Sequence, residues 1–310
     1  MRLPVAVTMA FLTIAPAQAV IILDSTWAEE GGAVGSEAAG FGAAIELANQ
    51  PQFDALISFS TDGETWGTCS GTWIGNDGDT AYVLTAGHCF QEGETAAKYS
   101  YRTQGGTVLE GADLFVHPGW TGNLAWRTGY DIDIVTLVGA VTDGGEQPAI
   151  YAGTGEKDRI LTFVGFGSRG IGSAGQDAIY YGAENQHDEK AAAVGRIERV
   201  EEAVQPLPEA ADETDAGNYL GVVLYAEDGS TESPYGGESI PVSRLAGLLG
   251  SGDSGGSAWI ETADGTWAIA GVNSNGTGKA AYGDKSWFVR VSAHREWIAS
   301  VFPGAIFIED

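Results

Sequence analysis

Glycine punctuates this chain throughout, 46 residues in 310, and the stretches between glycines are short and rich in Val, Ile, Thr and aromatic residues. Runs of that composition bounded by Gly, Asn and Asp read as strands separated by turns. The pattern predicts strands over residues 55–60, 68–74, 81–85, 107–117, 132–138, 160–165, 221–225, 256–261, 267–273 and 287–291. Many short strands of this kind form an all-β barrel or sandwich. Helix signals are few. One follows Ser292, a candidate N-cap, with Glu296 in the first turn and Trp297, Ile298 and Val301 on one side before Pro303. The stretch 191–204 carries Val194, Ile197 and Val204 at roughly helical spacing but reads equally as a strand. Residues 206–217, with two prolines and four acids, are expected to form an exposed loop.

The chain is long enough to bury a sizeable core. Its first residues have the order of a secretory signal: Arg2, an apolar stretch from Val5 to Ala15, then Ala17-Gln18-Ala19 as a small-x-small cleavage site. The apolar run is shorter than the roughly 20 residues of a spanning helix, so cleavage near Ala19 and a secreted or periplasmic mature chain are expected, with no membrane insertion. In an oxidising compartment the two cysteines, Cys69 and Cys89, are expected to form one disulfide. A metal site would need more ligands near them, and only His88 is close. The formal net charge of −27 argues against nucleic acid and anionic membrane surfaces as partners.

Three segments carry chemistry. In Gly252-Asp253-Ser254-Gly255-Gly256 the flanking glycines permit a sharp turn and close approach of backbone N–H groups to a developing oxyanion, which makes Ser254 a candidate nucleophile. In Leu84-Thr85-Ala86-Gly87-His88-Cys89 a histidine ends an apolar strand, and a tie from Cys89 to Cys69 would stiffen the turn presenting it as a general base. Of the other three histidines, His117 precedes Pro118 and reads as a loop residue, His187 lies in a charged run and His294 falls in the C-terminal helix. In Tyr130-Asp131-Ile132-Asp133-Ile134 two acids enter an apolar strand, and at least one needs a partner there.

The His-Cys pair after Thr-Ala-Gly, the later Asp-Ile-x-Ile-x-x-Leu strand and the final Gly-Asp-Ser-Gly-Gly occur in the order His, Asp, Ser. This arrangement resembles the trypsin/chymotrypsin family of serine peptidases. The resemblance spans roughly Phe53 to Phe302, and Gly165-Phe166-Gly167 and Leu248-Leu249-Gly250-Ser251 look more like its bacterial members. It implies two six-stranded antiparallel β-barrels with the site between them and a short C-terminal helix. It also implies a serine endopeptidase acting on protein or peptide substrates without metal or cofactor. His88 and Asp131 would come from the first barrel, Ser254 from the second, and the N–H groups of Gly252 and Ser254 would form the oxyanion hole. Asp131 is preferred over Asp133 as the orienting acid because counting from it places Ile132, Ile134 and Leu137 on the apolar positions usual for that strand. The expected organisation is a signal peptide (1–19), an amino-terminal segment of undefined structure (20–52), the first barrel (53–155), the second barrel (156–291) and a helix with tail (292–310).

The sequence also departs from the family. Leu248 stands where trypsin-like members carry the acid at the base of the specificity pocket, and the same alignment assigns Ser274, Gly276 and Ser286 to that pocket. An uncharged pocket favouring an apolar residue follows. No Ile-Val-Gly-Gly terminus is present to pair with Asp253, and no Lys or Arg lies between Arg2 and Lys98. Either signal removal frees Val20-Ile21-Ile22 for that role, or another contact holds Asp253, or a different enzyme trims the segment before Phe53. Two further readings compete. Gly-x-Ser-x-Gly also fits an α/β-hydrolase esterase, but that fold orders its triad Ser, acid, His, and too little chain follows Ser254. A non-catalytic binding module on the same barrels would ordinarily have lost one of the three residues.

Overall fold

The computed structural model describes residues 20–122, 129–176, 189–201 and 217–310. The chain enters through strand β1 (Ile21–Ile22) and helices α1 (Asp24–Glu29) and α2 (Gly42–Ala48). Val20, Ile21, Ile22 and Leu23 are fully buried. At roughly 1.5–3 kcal/mol per large apolar side chain, their burial outweighs the about 1–2 kcal/mol per residue needed to order the backbone, so a segment with no sequence signal is docked. Trp27 of α1 packs against Gly32 and Gly40, where an added Cβ would fall 2.3 and 2.0 Å from its ring.

Six strands follow: β2 (Leu56–Ser60), β3 (Ser70–Asp77), β4 (Thr80–Thr85), β5 (Ser100–Arg102), β6 (Val108–Val116) and β7 (Asp133–Val138). They close into an antiparallel barrel in the order β2-β3-β4-β7-β6-β5. Phe59 and Tyr101 are fully buried in its core, edge to face at 4.6 Å between centroids.

The rest of the chain supplies β8 (Ala149–Tyr151), β9 (Ile160–Gly165), β10 (Gly170–Ile171), β11 (Ala191–Arg196), β12 (Arg199–Glu201), β13 (Tyr219–Val223), β14 (Gly247–Leu248), β15 (Ser257–Glu261), β16 (Trp267–Gly276), β17 (Lys285–Arg290), helix α3 (Arg295–Val301) and β18 (Ile306–Ile308). The main path of the second sheet is β11-β9-β15-β16-β17-β13-β12, with β8 pairing to β16 and β18 to β8, and β10-β1-β14 forms a separate small sheet. The architecture is therefore the expected all-β double-barrel arrangement, the second member being a half-barrel. The halves touch where Thr72 Oγ1 donates to Ser257 Oγ (2.7 Å) and Ser70 N–H to Ser254 O (2.8 Å).

Each of the ten sequence-predicted strands coincides with an observed one to within a few residues. The ambiguous stretch from residue 191 is a strand: Ala191–Arg196 pairs along its length with β9. Its alanines favour a helix locally, but the ladder with β9 decides the conformation, and a Cβ on Gly195 would lie 2.2 Å from Val222. Ser292 does not cap a helix. It sits in a 3₁₀ turn (Val291–His294), and its hydroxyl donates to Glu156 Oε1, a carboxylate also paired with buried Arg290. Residues 206–216 of the expected loop, and His187, lie outside the described residues. Among the described residues no helix is long and apolar enough to cross a membrane.

Candidate active site

His88 sits in the 3₁₀ turn Gly87–Cys89 that follows β4, and Cys89 is disulfide-bonded to Cys69 just before β3. Asp131 stands two residues before β7 and is fully buried. Its Oδ1 accepts the His88 backbone N–H (2.8 Å), and its Oδ2 lies 2.7 Å from His88 Nδ1. Across the groove between the barrels, His88 Nε2 is 2.7 Å from Ser254 Oγ. An ionised carboxylate only accepts hydrogen bonds, so Nδ1 carries the ring hydrogen and Nε2 is left to accept from the Ser254 hydroxyl. The His88 side chain is 31% exposed. Burial lowers its pKa, but the Asp131 charge and hydrogen bond outweigh it and leave the pKa above the ordinary value.

Asp133 does a different job. Its Oδ1 accepts the His117 N–H (3.0 Å) rather than a hydrogen from His88. Burial, only partly offset by that N–H, pushes its pKa up to about 8, so it is largely protonated at neutral pH.

The loop before Ser254 is pinned at several points. Ser251 O accepts the Ser168 N–H (2.6 Å), and Gly252 O accepts the Ser70 hydroxyl (3.0 Å). Because the peptide is planar and trans, holding Ser251 O turns the Gly252 N–H to the opposite side. Among the described residues neither the Gly252 nor the Ser254 N–H has a partner. Gly252 and Gly255 take φ values of +96° and +82°, a region open to glycine. The Asp253 carboxylate accepts from the N–H groups of Gly167 (2.9 Å), Gly250 (2.8 Å) and Val20 (3.2 Å). Burial raises its pKa to about 6, with those three donors opposing the shift.

Beside Ser254 lies a cavity of about 240 Å³ with no charged residue in its wall. Ser274 and Gly276 line it, as the alignment assigned, together with Leu249, Gly250, Asn275 and Thr277. Leu248 and Ser286 do not. Leu248 is fully buried in β14 opposite Ile21, and the Ser286 hydroxyl accepts the Leu249 N–H (3.0 Å) behind the wall. Leu248 instead pairs with the docked amino-terminal strand, which a position count cannot reveal. Ser274 has a second role that the sequence reading missed: its hydroxyl donates to Asp131 Oδ2 (2.6 Å).

His117 and His294, read from sequence as a loop residue and a helix residue, are both buried and paired. Gly119 N–H donates to His117 Nδ1 (3.0 Å), so His117 carries its hydrogen on Nε2, facing His294 Nδ1 (3.2 Å), while His294 Nε2–H donates to Gly129 O (2.7 Å). Both rings are therefore neutral. Burial and then the neighbouring His117 push His294 down to about 4. A histidine held neutral in the fold but titrating near 6.5 when unfolded costs stability as pH falls from 6.5 to about 4, with no further loss below. We expect Tm to decline over that window and the decline to be shallower in His294→Gln. Equal slopes by circular dichroism would contradict the assignment.

The residues of this region also compare with known proteins. Residues 45–176 match a family model described as Trypsin; the matched stretch includes His88 and Asp131 and ends before Ser254. Over that stretch the chain is similar to the trypsin/chymotrypsin-like serine peptidases, a family of hydrolases.

Proposed function

We propose that the protein is a secreted serine endopeptidase in which Ser254 is the nucleophile, His88 the general base and Asp131 the orienting carboxylate. The observation that carries this reading is the continuous pair of 2.7 Å contacts, Ser254 Oγ to His88 Nε2 and His88 Nδ1 to Asp131 Oδ2. In the scheme general to such sites, Ser254 attacks the scissile carbonyl as His88 takes its proton. The N–H groups of Gly252 and Ser254 stabilise the oxyanion. His88 protonates the leaving amine, and water, deprotonated by His88, resolves the acyl-enzyme. No cofactor enters these steps.

The uncharged cavity beside Ser254 favours cleavage after a small or medium apolar residue over cleavage after Lys or Arg. Digestion of a peptide library by the mature protein tests both points. Internal cuts after uncharged residues support the reading, whereas hydrolysis of p-nitrophenyl acetate with no peptide cleaved would make the protein an esterase.

Signal removal after Ala19 is the maturation step in this reading. Val20 N already lies 3.2 Å from Asp253 Oδ2, and in the uncut chain this β-branched residue sits at φ +53°, a conformation costing about 1–3 kcal/mol. Cutting before it relieves that strain and turns a neutral amide into an ammonium facing a buried carboxylate. Val20 is expected as the first residue of the active secreted form by amino-terminal sequencing, and Asp253→Asn is expected to lower kcat about 10²- to 10³-fold, the scale of losing an oxyanion donor. An active form beginning elsewhere contradicts this route.

A further inference from the structure

Asp133 is fully buried, and only half of its carboxyl group is used. Oδ1 accepts the His117 N–H (3.0 Å), whereas Oδ2 is shielded from solvent and has no hydrogen-bond partner. A buried polar atom left unmatched is costly. In the ladder between β6 and β7, Asp133 stands directly opposite Val116. Residues opposite each other in a ladder project from one face, as do residues two apart on a strand, so Leu114, Val116 and Asp133 share a face. All three line one cavity of about 340 Å³, and the Asp133 carboxyl is aimed into it.

This cavity lies alongside the turn that carries His88. Phe90, next after Cys89, forms one wall, and Trp120, whose ring would lie 3.0 Å from a Cβ on Gly87, forms another. Val116 is 47% exposed, so the mouth opens to solvent. Glu92 and Glu94 also line the cavity, and no basic residue does. Glu94 is paired with Lys98 (2.7 Å), while Glu92 is exposed and makes no ion pair among the described residues.

We propose that this cavity is a binding site for a primary alkylammonium group, with its charged head on Asp133 Oδ2 and its alkyl chain between Phe90, Leu114 and Trp120. An ammonium has three hydrogens to give and Oδ2 has room to accept. The carboxyl groups select a cation over an anion, and the aromatic faces favour a cation further. The hydrocarbon walls match an alkyl chain better than a bare metal ion, and among the described residues no group of three or more ligating side chains could hold a metal. Burial pushes the Asp133 pKa up to about 8. An arriving ammonium favours the ionised carboxylate, and the carboxyl proton leaves to solvent. The other charged or titratable groups around Asp133 are Asp131 and His88 on the catalytic side and Glu92 and Glu94 in the cavity wall; His117 meets it through its backbone N–H. The site needs nothing from Ser254, so it stands apart from the catalytic reading.

Isothermal titration calorimetry tests this on the mature chain carrying Ser254→Ala, which prevents self-digestion. The probes are hexylamine, hexanol as its uncharged counterpart, and Nα-acetyl-lysine amide, at about pH 8.5, where an alkylammonium keeps its proton. Hexylamine is expected to bind one per chain with a Kd on the order of 1 mM or tighter. Added Asp133→Asn, which keeps an acceptor for the His117 N–H but removes the charge, should weaken binding at least about tenfold. Added Val116→Trp, at an exposed position in the mouth, should do the same by filling the cavity while leaving Asp133 in place. Hexanol should bind at least about tenfold more weakly than hexylamine. Comparable binding of Nα-acetyl-lysine amide would identify the occupant as a lysine side chain of a polypeptide; binding of hexylamine alone would identify a free alkylamine, and either supports the site. No hexylamine binding, equal binding of hexanol, or binding unchanged by Asp133→Asn or by Val116→Trp would each overturn the proposal.

Discussion

Ser254→Ala is expected to reduce hydrolysis of a peptide substrate on the order of a million-fold in kcat, with KM little changed. Only the hydroxyl is lost, so the backbone N–H groups of Gly252 and Ser254 and the adjacent cavity still bind substrate. What disappears is the covalent route, and losses of that size are general where a nucleophile and its base act as a unit. His88→Ala should cost about as much. The double variant should be scarcely worse than either alone, because each single change already disables the same step. Measurement of kcat for the three variants against one peptide substrate checks this, and a multiplicative loss would mean that Ser254 and His88 do not act together.

The second large effect separates two acids only two residues apart. Asp131→Asn is expected to lower kcat about 10⁴-fold at neutral pH, the scale general to this change in such sites. An amide facing Nδ1 can present its own N–H, and then the ring puts its hydrogen on Nε2, where it cannot take the Ser254 proton. Asp133→Asn is expected to stay within a few-fold of wild type. At neutral pH Asp133 is already mostly a neutral acid, and the asparagine carbonyl can still accept the His117 N–H. The reverse ranking in kcat/KM would transfer the orienting role to Asp133.

The first barrel was largely legible because its strands are short apolar runs that end at marked turns. Leu84 to Cys89 carry an apolar strand, a turn and the histidine within six residues, and the Asp131 strand keeps its apolar register through Leu137. Legibility fails where neighbours distant in sequence decide the structure. β1, β10 and β14 have two residues each and exist only because Ile21 and Ile22 are buried between the other two. The alanines of β11 have no strand preference of their own and follow β9. Leu248 and Ser286 were assigned to the cavity by position in an alignment, but Leu248 pairs with Ile21 in the small sheet and the Ser286 hydroxyl accepts the Leu249 N–H. The role of His117 could not be read from the Pro118 beside it, because its partner His294 lies 177 positions away.

Whether His88 activates Ser254 is decided by treating the mature wild-type protein and His88→Ala with a fluorophosphonate at neutral pH and mapping the adduct by peptide mass spectrometry. One adduct per wild-type chain is expected, on Ser254, and almost none in His88→Ala. Modification of a different residue, or equal modification of Ser254 in both proteins, would contradict it.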